Sequence, residues 1–180
     1  MNWKLFSRAA LTIVAAAVAL FGVSGALAPV AERNAQADRE ELMTVLLPGS
    51  TSFVEEEYTG EDACIRAVYK ADNGYVVCTA AAGYVGDVVL LVGVDNDGAV
   101  TGLTVQEQSE TFGLGAGART DWGFLMQFLG TSGEAAVGED IDALTGATVT
   151  SKAVTKAVNA AAAFVTGADV SSSATEWGDW

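Results

Sequence analysis

The chain has 180 residues, half of them apolar, enough for one ordinary core plus a tether. It carries 23 Asp and Glu against nine Lys and Arg, a net charge of −14, so phosphate backbones would be repelled and nucleic acid is excluded as a partner. It has no histidine and only two cysteines, which rules out a histidine base, a Ser-His-Asp triad, an axial haem histidine and the usual four-ligand zinc or iron–sulfur sites. Any redox work must fall to an organic cofactor.

In chain order, Lys4 and Arg8 lie in a short N-terminal stretch, residues 1–8, followed by 23 residues without a charge, Ala9 to Ala31. As a helix this run spans about 34 Å, against a bilayer core of about 30 Å, and reads as a transmembrane anchor at 9–31. Ala26-Leu27-Ala28 imitates a signal-peptidase site, but the run exceeds a signal peptide's apolar region and Pro29 would follow the cut. The positive-inside rule then keeps the N-terminus in the cytoplasm and the rest outside, a single-pass inner-membrane topology.

Residues 32–48 read as a stalk helix, with Leu42, Val45 and Leu46 at helical spacing and Pro48-Gly49 closing it. Strands are expected at Ser52 to Glu56, Ile65 to Lys70, Tyr75 to Ala80, Val88 to Val94 and Val100 to Glu107, with Asn73-Gly74 and Asp97-Gly98 as hairpin signals. Cys64 and Cys78 flank the first turn, packed as small hydrophobes or facing each other. The Asp95-Asn96-Asp97-Gly98 turn lacks the later glutamate of a calcium loop, and no metal site is expected. A helix follows at Trp122 to Leu129 with Phe124, Leu125 and Phe128 inward, then a loop from Ser132 to Asp140. A last helix, Ser151 to Val165, aligns Val154, Val158, Ala161 and Val165 for packing on a sheet. The tail, 167–180, is Ser-rich and contains Trp177 and Trp180. The fold class is α+β: a membrane helix, then a mostly antiparallel sheet flanked by helices, with the folded domain at 49–166.

Two stretches carry the chemistry. Asp142-Ala143-Leu144-Thr145-Gly146-Ala147-Thr148-Val149-Thr150-Ser151-Lys152 sets hydroxyls and small residues before the last helix, where free N–H groups and the helix dipole favour a phosphate. Taken locally, Thr148, Thr150 or Ser151 could equally cap that helix. Glu110-Thr111-Phe112-Gly113-Leu114-Gly115-Ala116 is a glycine-rich loop that lets backbone approach a flat ring.

Together these stretches resemble the flavinylation motif and the Glu-Thr-Pro-Gly-Leu-Gly segment of the FMN-binding domain family, typified by the G subunit of Rnf complexes and the C subunit of Nqr complexes. Phe112 stands where the family usually has proline. Leu47-Pro48-Gly49 and Gly83-Tyr84-Val85-Gly86 are smaller echoes. The resemblance implies covalent FMN, esterified through its phosphate to Thr148, with no catalytic residue. It implies further contacts from Glu110, Thr111, Leu114, Gly115, Thr145, Gly146, Ala147, Thr150 and Lys152. Glu110 and Thr111 would bond the ring's polar edge, Thr145 and Thr150 would donate to the phosphate, and Lys152 would offset its charge. It also implies polytopic membrane subunits as partners and a flavin transferase during maturation. The function implied is that of the G subunit in an Rnf complex, carrying electrons between ferredoxin and NAD with Na⁺ or H⁺ translocation. A stand-alone extracytoplasmic flavoprotein, an Nqr-type C subunit and a non-redox tethered scaffold remain as alternatives.

Overall fold

Helix α1, residues 33–46, opens the part of the chain that the computed structural model describes, residues 33–167. The expected anchor at 9–31 and the tryptophan tail lie outside those residues. No helix among the described residues is long and apolar enough to cross a membrane. The chain divides into two units between Glu41 and Leu42. In the first, residues 33–41 are an exposed helical stretch.

The second unit is built on five antiparallel strands in sequence order: β1 Val54–Glu56, β2 Ile65–Ala71, β3 Gly74–Ala82, β4 Asp87–Asp95 and β5 Val100–Glu107. Each connection is a hairpin or short loop, so the sheet is a simple meander, as the turn signals predicted. Asp72 and Asn73 form the β2–β3 turn, and Ala71 pairs with Gly74 across it. Asn73 also ties that turn to the end of α1: its Nδ2 donates to the Pro48 carbonyl at 2.9 Å, and its Oδ1 accepts from Ser50 Oγ. In the β4–β5 turn Asp95 Oδ1 accepts from the N–H groups of Asp97, at 3.0 Å, and Ala99, at 2.9 Å. Its acidity serves the turn.

Each face of the sheet has its own apolar cluster. Helix α3, Thr148–Thr166, covers one face with Ala153, Val154, Ala157, Val158, Ala161 and Ala162 against Val77, Leu90 and Val92. Small side chains let the helix lie close to the strands. It starts three residues before the expected Ser151, because Thr148, Val149 and Thr150 already hold helical geometry, and Gly167 ends it in a left-handed conformation with its N–H on the Ala163 carbonyl at 2.7 Å. Trp122–Leu125 is a short helix, α2, that tightens into a 3₁₀ turn over Met126–Phe128; Phe124, Leu125 and Phe128 are buried as expected. Asn159 of α3 clamps the irregular segment beyond, accepting from the Ala135 N–H at 3.2 Å and donating to the Ala135 carbonyl at 2.8 Å.

On the other face Met43, Leu46 and Leu47 pack with Val76 and Leu91. The buried set at the end of α1 is therefore Met43, Leu46 and Leu47; of the expected Leu42, Val45 and Leu46, Leu46 belongs to it and Leu42 packs half-buried against it, whereas Val45 is 68% exposed. Both sets satisfy helical spacing, so periodicity alone could not choose. What chooses is a notch of two paired glycines, Gly93 and Gly102, that receives the Leu46 carbonyl, which accepts from Thr101 Oγ1 at 2.6 Å. No disulfide joins Cys64 and Cys78; Cys78 pairs in register with Ala67, whereas the Cys64 carbonyl accepts from Ala80. Burial, followed by the nearby Asp62 carboxylate, raises the Cys64 thiol pKa.

Because a Cβ at position 93 would stand 2.7 Å from the Leu46 carbonyl carbon and 2.9 Å from Thr101 Oγ1, Gly93→Ala should cost about 1–3 kcal/mol. At about 2–4 °C per kcal/mol for a domain of this size, thermal unfolding should show a midpoint several degrees lower.

Candidate functional site

The site gathers where three connections meet at one end of the sheet: the β3–β4 loop, the loop after β5, and the N-terminus of α3. A cavity of about 310 Å³ there is lined by Tyr84, Glu110, Thr111, Leu114, Gly115, Gly146, Ala147, Thr148, Val149 and Thr150. Glu110 is the one charged residue in that lining.

The approach to α3 is set by a tight turn. Ala147 N–H donates to the Leu144 carbonyl at 2.9 Å, with Gly146 at φ +74°, a conformation that favours glycine. Ser151 Oγ locks this turn onto the helix, accepting from Leu144 N–H and donating to the Ala147 carbonyl, both at 3.0 Å. Ala147 occupies the cap position and supplies no side-chain bond. None of the three hydroxyls suspected of capping does so. The first N–H groups of α3 thus border the cavity without a side-chain cap, the arrangement that receives an anion. Thr148, the first helical residue, is exposed.

Glu110 holds the three connections together. It is 9% exposed, and its Oε2 accepts from Thr150 Oγ1 at 2.5 Å while its Oε1 accepts from Val85 N–H at 3.0 Å. Burial pushes its pKa up, but the bonds from Thr150 and from the backbone of Val85, Tyr84 and Gly86 outweigh it and leave the carboxyl below its ordinary value. Glycines make room on both sides. A Cβ at Gly83 would stand 2.6 Å from Glu110 Oε1, and one at Gly115 would stand 2.7 Å from Oε2. Both oxygens are engaged within the protein, so the expected bond from Glu110 to a ring edge would compete with these partners, and the Thr150 hydroxyl points at Glu110 rather than at a phosphate.

Eight of the ten residues named from the sequence, Glu110, Thr111, Leu114, Gly115, Gly146, Ala147, Thr148 and Thr150, line this one cavity. Thr145 and Lys152 do not. Thr145 is exposed in the turn, and Lys152, half-buried, lies one helical turn beyond Thr148 on the same face. Sequence reasoning missed Tyr84 and Val149 as lining residues. Tyr84 had a signal: it sits in the Gly83-Tyr84-Val85-Gly86 echo, and an exposed aromatic between two glycines of a short loop is poorly explained by packing.

Thr150→Val removes the hydroxyl and keeps the shape, so at neutral pH it should cost about 1.5–3 kcal/mol, the range for a hydrogen bond to a charged group. The Glu110 carboxyl is depressed in the fold. Its contribution is therefore full above the ordinary carboxylate range and disappears as pH falls through the folded value. Melting curves of wild type and variant should be well separated at neutral pH and converge in acid.

Residues 83–163, which include the whole cavity lining, match the FMN-binding domain family. Among curated relatives, the chain is 41% identical over 97 residues to the G subunit of the Na(+)-translocating ferredoxin:NAD(+) oxidoreductase complex of Acetobacterium woodii, covering 48% of this chain and 46% of that one. It is 35% identical over 150 residues to the G subunit of the proton-translocating ferredoxin:NAD(+) oxidoreductase complex of Clostridium ljungdahlii, 77% of each chain. With the G subunit of the ion-translocating oxidoreductase complex of Methanosarcina acetivorans it shares 31% identity over 172 residues, 86% of this chain and 90% of that one. The matched stretch thus ranges from about half to nine-tenths of these relatives. By these matches the chain belongs to the FMN-binding domain family, among the G subunits of ion-translocating oxidoreductase complexes.

Proposed function

We propose that this chain is a membrane-anchored electron carrier, the G subunit of an Rnf-type complex, holding FMN through a phosphodiester to Thr148. The observation that carries this reading is the position of Thr148: an exposed hydroxyl on the first residue of α3, bordering a cavity whose helix end has no side-chain cap. The residues fit the group. The N–H groups of residues 148–150 suit a phosphate, the one acidic side chain in the lining is already tied to Thr150 and Val85, and Lys152 lies on the Thr148 face. Gly115 and Gly146 keep the walls low, while Tyr84 and Leu114 offer apolar surface to a flat ring.

When bound, FMN supplies the electron transfer that no side chain here can perform. The protein's part is to hold the phosphate, orient the ring and set its surroundings. A covalent link keeps the site loaded regardless of affinity, so the ring can stay partly open to partners. In this reading residues 9–31 anchor the chain with its N-terminus in the cytoplasm. A flavin transferase loads Thr148 outside, where Asp142 shapes or presents the motif, and polytopic subunits exchange electrons with the flavin.

Intact mass of the matured, membrane-extracted chain should exceed the sequence mass by one FMN less a water, and Thr148→Val should abolish that increment. An increment that persists in the variant rejects Thr148 as the attachment point. Mild detergent extraction should co-purify polytopic membrane subunits; isolation of the flavin-loaded chain alone would favour a stand-alone carrier.

A further inference from the structure

Phe112 is 95% exposed, the most open of the large apolar side chains among the described residues. It occupies the second position of a turn closed by the Leu114 N–H on the Thr111 carbonyl at 3.1 Å, with Gly113 third at φ +80°. That is type II geometry, in which proline is favoured second because its ring presets φ. Phenylalanine is the poorer residue for this turn, since it leaves the unfolded chain freer and sets an apolar ring in water. It also gives nothing to the core. Thr111 and Leu114, the first and last residues of the turn, both line the cavity, so the turn borders it although Phe112 itself is not part of the lining.

The cavity is small for its proposed contents. At about 310 Å³ it lies at the lower end of ligand pockets, roughly 300–1,000 Å³. A flavin nucleotide held by its phosphate at Thr148 would therefore not be wholly enclosed by these walls. Space beside the turn is open, with no atom within 4 Å of where a Cβ on Gly113 would stand. We propose that Phe112 is a ligand-binding residue that stacks on the part of the isoalloxazine ring left outside the cavity, replacing turn rigidity with an aromatic contact. This rests on FMN occupying the Thr148 site as proposed above.

The test uses the full chain, matured with its flavin transferase and extracted in detergent, as wild type, Phe112→Trp, Phe112→Ala and Phe112→Pro. An electron-rich indole quenches flavin emission only on contact, so Phe112→Trp should emit several-fold less than Phe112→Ala. Iodide should quench the Ala and Pro variants more strongly than wild type. Phe112→Pro suits the turn and should melt no lower than wild type, so its change reports the lost ring rather than a damaged loop. Equal emission and equal iodide sensitivity across the set would overturn the proposal. So would unchanged optical properties combined with loss of co-purifying subunits in Phe112→Ala, which would assign the ring to a protein partner. Intact mass taken first separates this from the parent reading: with no flavin increment, covalent attachment fails, and the same variants titrated with free FMN still report whether Phe112 touches the ring.

Discussion

One carboxylate organises the functional end of this molecule. Glu110 binds the Thr150 hydroxyl with one oxygen and the Val85 N–H with the other, joining the β3–β4 loop, the glycine-rich loop and the start of α3. Each of these segments is a short connection whose course the sheet only partly dictates, so a shared tie fixes what the strands leave open. Glycines at 83 and 115 make the contact possible, because any side chain there would occupy the space of the carboxylate oxygens. A buried charge is tolerable only when its bonds are satisfied, and here they are supplied by the same segments that must be held. The acid thus acts as a bracket, and the neighbouring residue Thr148 stays exposed.

The rest of the unit supplies a stiff backing for that bracket. A meander of five strands with short turns places the β3–β4 loop and the exit of β5 at the same end of the sheet. The alanine-rich α3 presses on one face with its N-terminus at that end, and Ser151 fixes the preceding turn against the helix. On the far face the paired glycines at 93 and 102 seat the end of α1. Rigid elements carry mobile chemistry best when the loops between them are few and tied, as they are here.

Most of this architecture could be read from the amino-acid order. Alternation and turn residues located the strands to within a few positions, since the period of two and the Asn-Gly and Asp-Gly signals are local properties. The cavity was legible through motifs, which brought eight of ten named residues to one place. What could not be read were choices made by distant contacts. The buried stripe of α1 depended on a glycine notch some fifty residues away. The start of α3 lies earlier than expected: Thr150 is itself a helical residue, and its hydroxyl is bonded to Glu110, forty positions back, instead of acting as the local cap its type suggests. Tyr84 carried a signal in its glycine-flanked loop, but only the fold brings that loop beside the start of α3, more than sixty positions on.

The unguarded first turn of α3 carries a thermodynamic implication. Its initial amides have no side-chain partner of their own, so any anion seated there completes the helix and is linked to folding: occupancy stabilises the native state by RT ln(1 + [L]/Kd) when the ligand is free to leave. Make the same anion part of the polypeptide and the concentration dependence vanishes. Under the proposed phosphodiester, loading would be an irreversible step that hardens the protein, and resistance to heat or protease would separate unloaded chains from loaded ones.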